Sequence, residues 1–122
     1  MVTIDQPRRS RQSSTRVRQA REFLLDREAN DMLQTAREVL CEPTRTQIVR
    51  VLSSGPLTVS ELATILNRSK SATSQHLRVL RDGGVVTNRR RGRSVIYSLV
   101  AAPMVDAAVQ VLDRAANEEA AA

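Results

Sequence analysis

Aromatic residues are almost absent from this chain. Phe23 and Tyr97 make up 2% of its 122 residues, and there is no tryptophan. A core must then be built from Leu, Val, Ile, Ala and Met, which leans toward helix. Cysteine and histidine occur once each, as Cys41 and His76. A single cysteine excludes an internal disulfide framework. One cysteine and one histidine fall short of the three or four such ligands a thiolate or imidazole metal site needs. They also supply no nucleophile with a base and an orienting partner. No glycine-rich phosphate loop is present. No apolar run approaches the roughly 18–20 residues needed to span a membrane. The basic N-terminus is not followed by the apolar stretch of a signal peptide. The expectation is a cytoplasmic, non-enzymatic protein without metal or cofactor.

Acidic residues are scarce in two segments. Residues 1–21 carry six Arg against Asp5, a net +5. Residues 68–93 carry Arg68, Lys70, Arg78, Arg81, Arg89, Arg90, Arg91 and Arg93 against Asp82, a net +7. The remainder must be −6, since the whole chain is +6. Charge segregated in this way points to a polyanion facing two segments; a plain solvated basic face is the alternative. The length suits one domain of modest core, which a homodimer would stabilise.

Residues 1–15 are polar and rich in Arg and Ser without periodicity, and read as a disordered basic arm. The folded domain is expected over 16–117. Val17, Ala20, Leu24 and Leu25, then Met32, Leu33, Ala36, Val39 and Leu40, fall at helical spacing, with a break near Asp26–Asp31. Pro43 ends that run and opens the next helix, whose buried face is Ile48, Val49 and Leu52. Thr58-Val59-Ser60-Glu61 is a capping box, introducing a short helix with Leu62, Ala63, Ile65 and Leu66 inward. Asn67-Arg68 marks a turn, and Ser69 caps a further helix that ends at Gly83-Gly84. The period then switches to two. Val85–Thr87 and Val95–Leu99 flank Arg89–Arg93 as a hairpin with a basic tip. Pro103 restarts a helix with Val105, Ala108, Val109, Leu112 and Ala116 on its stripe, and residues 118–122 are expected to fray.

Two short helices across a tight turn form a helix-turn-helix, and the hairpin after it is a wing. The fold class is therefore mainly α (α+β): a winged helix-turn-helix with a two-stranded wing. On a wheel at about 100° per residue, Thr73, Leu77 and Leu80 face the core. Ser71, Gln75 and Arg78 lie opposite, and these residue types suit base edges in a major groove. Lys70, Ser74 and Arg81 flank them toward phosphates. Ser69 and the first amides of the helix can also meet a phosphate. Arg89, Arg90, Arg91 and Arg93 around Gly92 fit a narrow minor groove. His76 sits at the edge of the buried face, packed or touching a phosphate. Cys41 reads either as a small buried hydrophobe or as a redox switch. As a switch it needs its counterpart across a dimer, or a small thiol.

The stretches Val39-Leu40-Cys41-Glu42-Pro43-Thr44-Arg45 and Ile48–Leu52 resemble the opening of ArsR-type winged-helix repressors. So do Ser74–Val86, Arg91-Gly92-Arg93 and Tyr97-Ser98-Leu99. The likeness covers about residues 32–100. It implies a DNA-binding unit over 43–100 and dimerisation helices over 16–41 and 103–117. It also implies a homodimer bound to double-stranded DNA at an inverted-repeat operator, released by a small-molecule or oxidant inducer. Metal-sensing members often carry Cys-Val-Cys where this chain has Thr58-Val59-Ser60, and others place Asp and His on a last helix that here holds no His. The resemblance thus implies a repressor outside the familiar metal-sensing types. A non-specific architectural DNA binder and a protein-interaction module are the rival readings.

Overall fold

A computed structural model of the chain describes residues 6–121. They divide into two compact units, one ending at Asp31 and the other beginning at Met32. The first holds helix α1 (Gln6–Arg21) and the start of α2 (Arg27–Leu40). Helix α1 corrects the expected disordered arm over residues 6–15; residues 1–5 lie outside the described chain. Its residues are Arg, Gln, Ser and Thr around only Val17 and Ala20, with Pro7 in the first turn. Arg and Gln are strong helix formers, and proline suits a helix start. Apolar periodicity reads this helix only from Arg16 on, through Val17 and Ala20, because residues 6–15 carry no apolar stripe.

The break between the first two helices falls at residues 22–26, earlier than expected. Asp26 explains the difference, since it caps α2. Its Oδ1 accepts the Ala29 amide at 2.8 Å, as an N-cap aspartate does. Leu24 and Leu25, expected on a helical stripe, lie in the break and are exposed.

The second unit continues through α3 (Pro43–Leu52), β1 (Leu57–Thr58), α4 (Val59–Leu66) and α5 (Lys70–Asp82). It closes with β2 (Val86–Arg91), β3 (Ser94–Leu99) and α6 (Pro103–Ala121). Helix α3 opens on Pro43, with Glu42 Oε2 accepting the Arg45 amide at 2.7 Å. The sheet is antiparallel in the order β1-β3-β2, with Leu57 opposite Tyr97 and Val86 opposite Leu99. Three strands replace the two expected. A two-residue strand carries no alternation to detect, and β1 exists only through its pairing with β3.

Ile48, Val49, Leu52, Leu62, Leu77, Leu80, Val85, Val86, Val105 and Val39 form one core. Every helix from α2 to α6 contributes to it. Burying each large aliphatic side chain contributes roughly 1.5–3 kcal/mol. Ile65, expected inward, is instead 53% exposed. Helix α6 runs on to Ala121 rather than fraying from residue 118. Its Ala and Glu are good helix formers and need no packing to extend a helix already started. No described helix is long and apolar enough to cross a membrane.

Candidate nucleic-acid interface

Local hydrogen bonds fix the two helices of the motif. Thr58 Oγ1 accepts the Glu61 amide at 3.1 Å, and Glu61 Oε1 accepts the Thr58 amide at 3.0 Å. This reciprocal pair satisfies two amides at the start of α4. The Thr58 backbone bond, and next its hydroxyl, hold the Glu61 carboxyl below the ordinary glutamate range. Helix α4 closes at Asn67 in the left-handed region, φ 53°, which asparagine tolerates better than most residues. Ser69 then caps α5, its Oγ accepting the Ala72 amide at 3.0 Å.

The roll of α5 about its own axis decides what it presents. Thr73, Leu77 and Leu80 are buried, and the Thr73 hydroxyl donates to the Ser69 carbonyl at 2.8 Å. A helix pinned by that stripe turns its opposite face outward. Ser71, Gln75 and Arg78 are accordingly exposed, as are Ser69, Lys70, Ser74 and Arg81 beside them. The arrangement offers a neutral amide, hydroxyls and a guanidinium in a row, flanked by cations.

The wing differs in detail from the expected basic tip. Arg89, Arg90 and Arg91 are residues of β2, opposite Ile96, Val95 and Ser94 of β3. Only Arg93 stands in the turn, beside Gly92 at φ +62°, a conformation suited to glycine. Alternation along the strand places Arg89 and Arg91 on one face and Arg90 on the other. A run of like charges has no polar and apolar alternation to read, so the end of the strand was invisible in the sequence. All four arginines are exposed.

One cation escaped sequence reasoning. An open groove of about 460 Å³ runs along α5, lined by Ser69, Ser71, Ala72, Gln75, His76 and Val79, and by Arg45 of α3. Arg45 is half-buried; its Nε and Nη2 donate to the Glu38 carbonyl at 3.1 and 2.9 Å. Arg45 lies far from the basic segment 68–93 in sequence, and only the packing of α3 against α5 brings it to the groove. His76, at the edge of the buried face as expected, places Nδ1 3.7 Å from Glu42 Oε2. Cys41 is exposed in the turn after α2, which corrects its reading as a small buried hydrophobe. Helix α2 ends at Leu40, so Cys41 leaves that helix's apolar stripe. Among the described residues no three Cys, His, Asp or Glu side chains are grouped to hold a metal ion.

A capped helix, a three-residue turn, a second helix with an exposed polar face and a basic hairpin define a winged helix-turn-helix of the regulator class. Comparison with known proteins identifies the family. The model of the bacterial regulatory protein arsR family matches residues 42–88. The regulator NmtR of Mycobacterium tuberculosis is 41% identical over 75 residues, covering 62% of each chain, less than two thirds of that relative's length. The transcriptional repressor SdpR of Bacillus subtilis is 34% identical over 62 residues, covering 51% of this chain and 69% of SdpR. The homodimeric winged helix-turn-helix DNA-binding domain of Mb0332 from Mycobacterium bovis superimposes with a TM-score of 0.66. That match has 26% identity and covers 79% of this chain and 91% of that one. The chain belongs to the arsR family, whose members are transcriptional regulators rather than enzymes.

Proposed function

We propose that the protein is a sequence-specific, double-stranded DNA-binding regulator that acts as a homodimeric repressor at an inverted-repeat operator in the cytoplasm. The observation that carries this reading is the outward face of α5, with Ser71, Gln75 and Arg78 exposed opposite buried Thr73, Leu77 and Leu80. Gln75 reads adenine and Arg78 guanine in the major groove, and Ser71 serves either. Ser69, Lys70, Ser74 and Arg81, with Arg45 along the groove, hold the phosphates on both sides. The arginines of the wing enter the adjoining minor groove.

Dimerisation through α2 and α6 is supported by the exposed Met32 and Leu33 on the former and Val111 on the latter. It is supported too by the homodimeric state of the Mb0332 domain. A two-fold axis then sets the recognition helices about 34 Å apart, one turn of DNA. Bound at its operator, the dimer blocks polymerase. The inducer is not a metal held by thiolates or imidazoles, because Thr58-Val59-Ser60 and α6 offer neither.

The test is a pair of binding isotherms for the purified protein, on its own upstream DNA and on a scrambled duplex. A roughly thousandfold preference for the upstream DNA is expected of a specific reader. Equal affinities would leave an architectural binder, and no affinity for either would leave a protein-interaction module. The exposed thiol of Cys41 favours one second reading, in which oxidation across the dimer, or by a small thiol, weakens DNA binding. Repeating the titration with oxidant, on wild type and on Cys41→Ser, decides it.

A further inference from the structure

We infer that the second unit holds a binding site for a small, uncharged, apolar molecule at the junction of α5 with the wing, and that filling it releases DNA. The binding half stands on its own geometry; the release half rests on the DNA-binding reading above. A partly open cavity of about 70 Å³ lies between α2, the turn after α5 and the start of α6. One water needs only ~10–15 Å³ of such space. Ala36 and Val39 of α2, Val85 of the turn, and Met104, Val105 and Ala108 of α6 supply its walls. Among the described residues no charged side chain lines it.

That lining selects the chemistry of the occupant. An ion would lose its hydration and gain no partner. Water, which needs two to four polar neighbours, gains little in an apolar cavity. A single aromatic ring or a short branched hydrocarbon loses nothing and buries its surface. The space exists because small residues stand where three elements converge. Gly83, Gly84, Ala36, Ala102 and Ala108 leave it unfilled.

The position of the cavity gives it leverage. Gly83 and Gly84 close α5 through amides donated to the Val79 and Arg81 carbonyls, both at 3.0 Å. The Val85 amide donates to the Leu80 carbonyl at 2.9 Å, and the Val85 carbonyl accepts the Val100 amide at 2.9 Å. The face of α5 and both strands of the wing are therefore rooted in the same three residues. Gly84, at φ +74°, takes a conformation that other residues rarely adopt. A Cβ built on Gly83 would stand 3.3 Å from Thr35 Cγ2, so α2 already lies close on the turn. An occupant larger than the remaining gap must push α2 or the turn aside. It then favours whichever state has α5 and the wing displaced, and so opposes DNA.

The experiment uses the full chain with toluene as the probe and benzoate as the charged control. Methyl NMR signals of Val39, Val85, Met104 and Val105 should move and saturate with toluene, and stay still with benzoate. Ala108→Leu fills the cavity and should weaken toluene binding at least tenfold. Ala36→Val serves the same purpose if the first variant folds poorly. At saturating toluene, operator affinity of the wild type should fall between ~5- and ~150-fold, with no change in the filled variant. Methyl signals that ignore toluene, or respond equally in wild type and filled variant, overturn the site. Saturable shifts with unchanged operator affinity overturn the release. A protein that prefers no DNA sequence even without toluene overturns the DNA reading, and the methyl shifts then judge the site alone.

Discussion

Substituting Gln75→Ala isolates sequence reading from every other property of the protein. Gln75 is exposed on α5, and among the described residues its side chain has no hydrogen-bond partner. Alanine is at least as good a helix former as glutamine, so the variant should keep its stability within about 0.5 kcal/mol. Gln75 is neutral, so the slope of log affinity against log salt should not change. What should disappear is the proposed bidentate contact to adenine, worth about 1–3 kcal/mol of discrimination per half-site. A two-fold operator loses it twice. The total of about 2–6 kcal/mol corresponds to a weakening of at least roughly 25-fold at ~1.4 kcal/mol per tenfold. Fluorescence anisotropy on operator and scrambled duplexes at two salt concentrations measures all of this. The operator should weaken while the scrambled duplex does not. An unchanged operator affinity, or an equal loss on both duplexes, would refute the placement of Gln75 against bases.

Other expectations follow from the same geometry. Replacing Arg89, Arg90, Arg91 and Arg93 together by Gln should weaken operator and scrambled DNA alike and flatten the salt slope by about 0.9 for each phosphate no longer neutralised. The same treatment of the arginines in α1 tests whether that basic helix also lies on DNA; an unchanged slope would remove it from the interface. Leu77→Ala should cost about 2–5 kcal/mol, since Leu77 is fully buried. That corresponds to a drop in Tm of at least about 6 °C for a chain this size, and a loss under about 2 °C would deny Leu77 its place in the core. Thr58→Ala should cost about 1 kcal/mol and alter the response to acid. Glu61 has its pKa lowered in the fold by Thr58, so its contribution is present at neutral pH and is lost as pH falls through that lowered value. Urea unfolding across the acid range should show this extra loss in wild type, and a shallower one in Thr58→Ala. Parallel curves would mean that the capping box is not maintained in solution.

What could be read from the sequence was written in signals that act over a few residues. A threonine followed three positions on by a glutamate is its own hydrogen-bonded unit, so the start of α4 was visible without a fold. Ser69 and the spacing of Thr73, Leu77 and Leu80 likewise fixed the start and the roll of α5, and with them the outward face of Ser71, Gln75 and Arg78. The first part of α1, residues 6–15, was missed for the opposite reason: propensity alone carries it, with no apolar residues in its sequence to give it a period. Strand β1 is too short to have a pattern, and the arginines of β2 hide theirs in uniform charge.

The remaining gaps share one cause, which is that packing between distant segments leaves no local mark. Arg45 joins the groove because α3 lies beside α5, although 30 positions separate it from Gln75. Arg50, also on α3, reaches the Leu112 carbonyl of α6 at 3.0 Å and stands 3.7 Å from Asp113. The cavity between α2, the Gly83–Val85 turn and α6 is harder still to foresee, since it is made by atoms that are missing. A small residue in a sequence looks the same whether a neighbour fills the space beside it or not. The surface proposed to meet DNA could thus be anticipated from residues that are present. The site proposed to control it depends on the space between elements, and had to wait for the fold.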